Sequence, residues 1–161
     1  MKKLILLFLT LSLFSCDDGN FDIPAFEFTT TVNSCGEYIL YKTNSNSTEA
    51  IVLTLNPSNL GTIEGESTVT ISTYSSVIYR IFNDGIESNY FCQDIPPATP
   101  VVVKELIAES GTINILTTAN LTDSIITSYT YEISISNLLF NDISERIFFE
   151  NFDFGTLDIS L

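Results

Sequence analysis

Carboxylates are the side chains this sequence holds in quantity for acid–base chemistry: 20 Asp and Glu stand against six Lys and Arg, and histidine is absent. Without histidine there is no Ser–His or Cys–His nucleophile pair. Histidine-ligated zinc, copper and iron sites are lost with it. Paired acids remain as a route to glycoside hydrolysis, which needs two carboxyl groups about 5 to 9 Å apart across a cleft. Glu105 with Glu109, and Glu150 with Asp153, are pairs of that kind. A chain this acidic produces such pairs by composition alone, so no catalytic residue is assigned and the chain is read as a non-enzyme. The segment Asn83-Asp84-Gly85-Ile86-Glu87-Ser88-Asn89 gathers hard oxygen ligands, with Asp84 and Glu87 the charged groups a calcium ion would use. It lacks the twelve-residue calcium-loop pattern, a plain turn is the simpler account, and no metal or other cofactor is assigned. The glycines are scattered and none falls in a phosphate-cradling Gly-x-Gly-x-x-Gly array. Tyr38, Tyr41, Tyr74, Tyr79, Tyr90, Tyr129 and Tyr131 offer rings for stacking on a sugar, although alternating tyrosines also serve as sheet packing.

The three cysteines divide by position. Cys35 and Cys92 form an even pair in a chain with an export signal, which reads first as a disulfide, with two free buried thiols as the other reading. Closing so long a loop stabilises a fold by about 4 kcal/mol in the chain-entropy model. Cys16 follows Met1-Lys2-Lys3, the apolar run 4–14 and Ser15, the layout of a secretory signal over residues 1–15. That run is too short to cross a bilayer, which takes roughly 20 residues.

Leu13-Phe14-Ser15-Cys16 resembles a lipobox, with Phe14 bulkier than the residue usual at that place. The resemblance implies a diacylglycerol thioether on Cys16, cleavage after Ser15 and acylation of the new amine. Two or three acyl chains hold firmly, at about 0.8 kcal/mol per buried methylene. Asp17-Asp18 is similar to the export signals of surface lipoproteins in Bacteroidota, which implies delivery to the outer membrane and its outer face; a flexible tether over 16–24 is the plainer reading of the same residues. Asp123-Ser124-Ile125 is similar to the O-glycosylation sequon of that phylum, which implies a glycan on Ser124. As a whole the chain resembles the small Bacteroidota lipoproteins that carry no assigned activity. The specific part of the likeness covers residues 1–18.

Removal of residues 1–15 takes Lys2 and Lys3 with it. Four basic residues, Lys42, Arg80, Lys104 and Arg146, then face 20 acids, a balance of −16. Such a surface is repelled by nucleic acid and by anionic headgroups, so the membrane contact expected is the lipid itself. The partners expected are a glycan or an outer-membrane complex of the nutrient-uptake type. A carboxylate-based glycoside hydrolase and a purely structural envelope component are the rival readings.

The elements that must position these residues read as strands. Thr, Ser, Val, Ile, Tyr and Phe dominate from residue 25 onward, and suit a pleated, half-buried surface. Strands are expected over 26–32, 37–42, 50–56, 67–72, 77–82, 101–109, 112–117, 127–136 and 146–152. The clearest alternation is Tyr129-Thr130-Tyr131-Glu132-Ile133-Ser134-Ile135, with its odd-numbered residues on one face. Turn residues fall at 56–59, 83–85, 120–123 and 141–142, and Ser110-Gly111 between two apolar runs predicts a tight hairpin. Pro96-Pro97-Ala98-Thr99-Pro100 reads as a stiff crossover. Many short strands with regular turns predict an all-β domain over 25–161, a single antiparallel β-sandwich of jelly-roll or immunoglobulin-like type. The alternative is a lipocalin-like barrel, against which stands the absence of tryptophan.

Overall fold

The clearest alternating run of the sequence, 129–135, falls within a strand of 17 residues, Ile125–Asn141. The structure is a computed structural model, and it describes residues 26–36, 38–56, 58–141 and 146–161. The signal 1–15, Cys16 and the tether 16–24 lie outside these residues. The strands are β1 (Asn33–Cys35), β2 (Ile39–Thr43), β3 (Glu49–Thr54), β4 (Gly65–Thr70), β5 (Ser76–Phe82), β6 (Val102–Thr122), β7 (Ile125–Asn141) and β8 (Arg146–Ser160). The described residues contain no α-helix; one turn of 3-10 helix covers Tyr90–Cys92.

All eight strands join one antiparallel sheet, in the order β1-β2-β3-β5-β6-β7-β8, and the sheet is curled into a half-barrel. β4 pairs with β6 beyond the end of β5. Its pairing runs Gly65↔Thr117 to Thr70↔Thr112, and β5 resumes along the same edge with Ile78↔Ile107. β4 and β5 are thus one line of chain, interrupted by the excursion 71–75 that the Ser72↔Ser75 bridge closes.

Two expectations are corrected. Ser110-Gly111 is not a hairpin: β6 runs straight through it, with register shifts against β7 on both sides of Ser110. Gly111 has φ +152°, and a Cβ there would stand 2.9 Å from Ile71 Cδ1 and 3.3 Å from Leu138 Cα. A glycine in an apolar alternating run marks a bulge or a close backbone approach as readily as a turn. The real turn lies at Asp123-Ser124, both at positive φ between the paired Thr122 and Ile125. That is the two-residue hairpin geometry whose twist matches the strands. Residues 26–32, expected as a strand, are irregular. They lie in the open side of the half-barrel: Thr29 N donates to Thr43 O of β2 (2.9 Å), while Phe26 meets Phe149 and Phe28 meets Phe152 of β8.

The core occupies the concave side. On β6 its residues are Leu106 and Ala108, then Ile113 and Ile115; on β7 they are Tyr129 to Ile135 at odd numbers, then Leu138 and Phe140. The inward parity therefore changes across 109–112 and 136–137, where Asn137 takes φ +52°. Bulged positions absorb the bend and keep apolar side chains inward on both sides of it. A second, smaller cluster of Ala50, Phe82, Ile86 and Tyr90 sits on the other face of β3 and β5, beneath the loop 83–101. Cys35 and Cys92 are disulfide-bonded, with Cα atoms 4.9 Å apart, and tie that loop to β1.

Candidate functional site

β2 is covered on both faces, which puts an unusual residue inside. Leu40 and Lys42 share the inward parity, while Tyr41 faces the loop 83–101 and its hydroxyl donates to Ser88 O. Lys42 is only 7% exposed. Its ammonium reaches across the open side toward β8, to 3.7 Å from where a Cβ on Gly155 would sit. Gly155 has φ +119°, and the same Cβ would press on Val32 Cγ2 at 2.8 Å, so only glycine leaves this passage free. Arg80 Nε and Glu105 Oε2 form an ion pair at 2.6 Å; among the described residues Lys42 has no carboxylate within 4.0 Å. Burial lowers its pKa from 10.5, and the charge of Asp153 opposes that in part. The seam between β2 and β8 is a cleft of about 550 Å³, lined by Thr30, Ser34, Lys42, Asp153, Thr156 and Asp158 among others. Asp158 accepts a hydrogen bond from Thr130 Oγ1 (2.5 Å).

The other residues singled out from sequence are dispersed. Glu105 and Glu109 lie on one face of β6, four residues apart, which at about 3.3 Å per residue is roughly 13 Å, beyond the carboxylate spacing of glycosidases. Each is engaged separately: Glu105 by Arg80, Glu109 by Asn141 Nδ2 (3.2 Å). Asp153 lines the seam, and Glu150 stands on the exposed side of β8 outside it. Asp84 and Glu87 line an open cleft under the loop 83–101, where Asp84 Oδ1 caps Gly85 N (2.8 Å). No group of three or more acidic or cysteine side chains suited to a metal occurs among the described residues. Tyr79, Tyr129 and Tyr131 are in the main core and Tyr41 and Tyr90 face or join the smaller one; Tyr74, 76% exposed, stands apart. The tyrosines therefore form no common platform. Ser124 is exposed at the tip of the β6–β7 turn.

The sequence reading passed over Lys42. Its signal was the parity shared with Leu40, but Tyr38-Ile39-Leu40-Tyr41 is apolar throughout, and such a run does not declare which face is inward.

A second region lies at the far end of the sheet from where residue 26 enters. There β4 is exposed along nearly its whole length, and β6 is its only strand partner among the described residues. Ile71 N donates to Gly111 O (3.0 Å), which fixes the ladder: odd-numbered residues of β4 bond to β6. The backbone N–H and C=O of Glu66, Thr68 and Thr70 are then turned to the free edge. Beyond the end of β4, Glu64 Oε1 takes the next β6 donor, Ala119 N (3.1 Å). Residues 58–75, 111–136 and 151–161, which form this end, contain Glu64, Glu66, Asp123, Glu132, Asp153 and Asp158 and no Lys or Arg. Glu66, Thr68, Asn114, Glu132, Ser134 and Asp153 line a trough of about 460 Å³ across its face.

No protein-family model matches the chain, and comparison with curated proteins and with solved structures finds no match either.

Proposed function

We propose that this chain is a lipid-anchored protein of the bacterial outer membrane, held through Cys16, whose domain is a non-enzymatic binding module for a protein partner. The partner is one that offers an extended, cationic segment. The observation that carries this is the free edge of β4, three residues of which present backbone donors and acceptors unpaired among the described residues. They lie on segments that carry acids and no basic residue, with the Lys42 ammonium beyond β6 and β7, against β8. An added strand gains affinity from main-chain hydrogen bonds and specificity from its alternate side chains. Lys or Arg beside Glu66 meets opposite charge, and cross-strand pairs of that kind contribute about 0.2–1 kcal/mol each.

The anchor supports the same reading. Phe26, the first described residue, packs on Phe140 and Phe149 toward the end of the sheet opposite β4, so a membrane tether ahead of it presents β4 outward. Ser124, at the β6–β7 turn, is open to the glycosylation its sequon implies.

The test has two arms. A clickable palmitate analogue labels the wild-type chain in its host membrane, and Cys16→Ser removes the label; labelling that persists sinks the anchor. For binding, a Lys-Thr alternating hexapeptide is titrated into the full chain in detergent, with a Glu-Thr hexapeptide as control. Thr68→Pro removes one edge-facing donor, a change edge strands tolerate. The Lys-Thr peptide binds the wild type and not Thr68→Pro. Equal binding to both chains, or equal binding of both peptides, sinks the edge.

A further inference from the structure

The seam beside β8 shares Asp153, Gly155 and Thr156 with the trough at the β4 end, but the edge of β4 does not account for its lysine. A lysine nine-tenths buried, with no carboxylate within 4.0 Å among the described residues, is an expensive arrangement in a free protein. Burial of an ammonium is ordinarily offset by a close counter-charge and hydrogen bonds. Here the side chain points from β2 across the gap and ends in a cleft open to solvent, beside a glycine that keeps the passage clear. The rest of the lining is of opposite character. Asp153 and Asp158 stand on β8, and the exposed hydroxyl residues Thr30, Ser34 and Thr156 complete the rim.

We propose that this cleft binds a small carboxylate that also carries hydrogen-bond donors, with the carboxylate on Lys42 and the donors on Asp153 and the rim. One fixed cation with two acids a few residues away sets the selection. A monocarboxylate meets the ammonium, and hydroxyl or ammonium groups on its neighbouring carbons meet the acids. A phosphate dianion places more negative charge against the same two acids and is disfavoured. A neutral sugar leaves the lysine unpaired. The volume, about 550 Å³, is in the range of small-molecule sites. Two sources share this chemistry, a sugar acid and an amino acid.

Galacturonate, serine, galactose and inorganic phosphate are titrated calorimetrically into the full chain in detergent, up to about 10 mM, just beyond millimolar affinity. Either galacturonate or serine binds, which identifies the source; galactose and phosphate do not. Lys42→Met fills the same volume without a charge and, on the precedent of buried ions replaced by apolar groups, folds. Its affinity for the bound carboxylate falls by roughly tenfold or more, the loss expected for a buried charge-assisted contact. Asp153→Asn reduces affinity for the same ligand less, because its contact is nearer to solvent. The proposal is overturned if neither carboxylate binds, if galactose or phosphate binds as well as the better carboxylate, or if Lys42→Met binds unchanged. It is overturned also if Lys42→Met loses the fold by circular dichroism, since Lys42 is then part of the framework.

Discussion

Two polar side chains inside the half-barrel titrate in opposite senses, and both leave a mark on stability. Burial holds the pKa of Lys42 below 10.5. An unfolded chain keeps its proton up to 10.5, while the folded chain releases it earlier, so between the two values the unfolded state binds more protons and stability rises with pH. Compared with Lys42→Met, the wild type is expected to be less stable at neutral pH, with a deficit that shrinks as pH approaches 10.5. Urea unfolding of both chains across that range reads the difference, and a constant deficit would show that Lys42 titrates normally. Tyr79 is the converse case. It is wholly buried, and burial, its hydrogen bond to Glu49 Oε2 (2.7 Å) and the Glu49 charge all raise its pKa above 10.0. Above 10.0 the unfolded chain loses that proton and the folded chain keeps it, so stability falls as pH rises. Tyr79→Phe costs about 1 kcal/mol at neutral pH through the lost hydrogen bond. It also flattens the alkaline decline, and an unchanged alkaline slope in that variant assigns the decline to other groups.

At the scale of elements, the bend across β6, β7 and β8 decides the shape, and Gly111 is its tightest point. Alanine there meets Ile71 at 2.9 Å and the Leu138 backbone at 3.3 Å, at a φ that side chains avoid. Gly111→Ala is expected to cost about 1–3 kcal/mol, by crowding and backbone strain together. The same change at Gly61, where nothing lies within 4 Å, is expected to cost less, and denaturant midpoints compare them. This bend also marks the limit of what sequence pattern could give. β2 to β5 were placed within two residues at each end, because period-2 alternation depends only on which residues face the core, whereas β6 to β8 run five to eight residues past the ends expected and β1 was not expected. The β6 break was misread because Ser110-Gly111 supplies the same local signal for a turn as for a bulge; only the partner Leu138 distinguishes them. Residues 26–32 alternate Phe26 and Phe28 as a strand would, yet their rings fill the open side between β2 and β8, where the backbone is tied to β2 by Thr29 N donating to Thr43 O rather than by a ladder. Cys35 and Cys92, by contrast, were legible as a pair, since pairing follows from number and compartment. Lys42 was not, because the second cluster under the loop 83–101 covers the face that would otherwise have been polar.

Charge is the property of the whole molecule that most constrains its partners. The described basic residues belong to β2, β5, the first half of β6 and the start of β8; the segments that form the β4 end contribute six acids and no base, and the Lys42 ammonium reaches only their β8 side, beside Gly155. If attraction to this end alone explained binding of a cationic segment, the interaction would vanish with screening. The Debye length shrinks from about 10 Å at 0.1 M salt to about 3 Å at 1 M, so long-range attraction is lost over that interval. Backbone hydrogen bonds along β4 are not screened in this way. Raising salt is therefore expected to weaken the Lys-Thr hexapeptide strongly, mainly through slower association. The residual affinity at high salt should still distinguish the wild type from Thr68→Pro. A neutral Ser-Thr hexapeptide should show the same discrimination with little salt dependence. Loss of all discrimination at high salt would reduce the interaction to charge and remove the strand edge from it. Discrimination that persists makes the acidic end a guide for encounter and β4 the place where the partner is held.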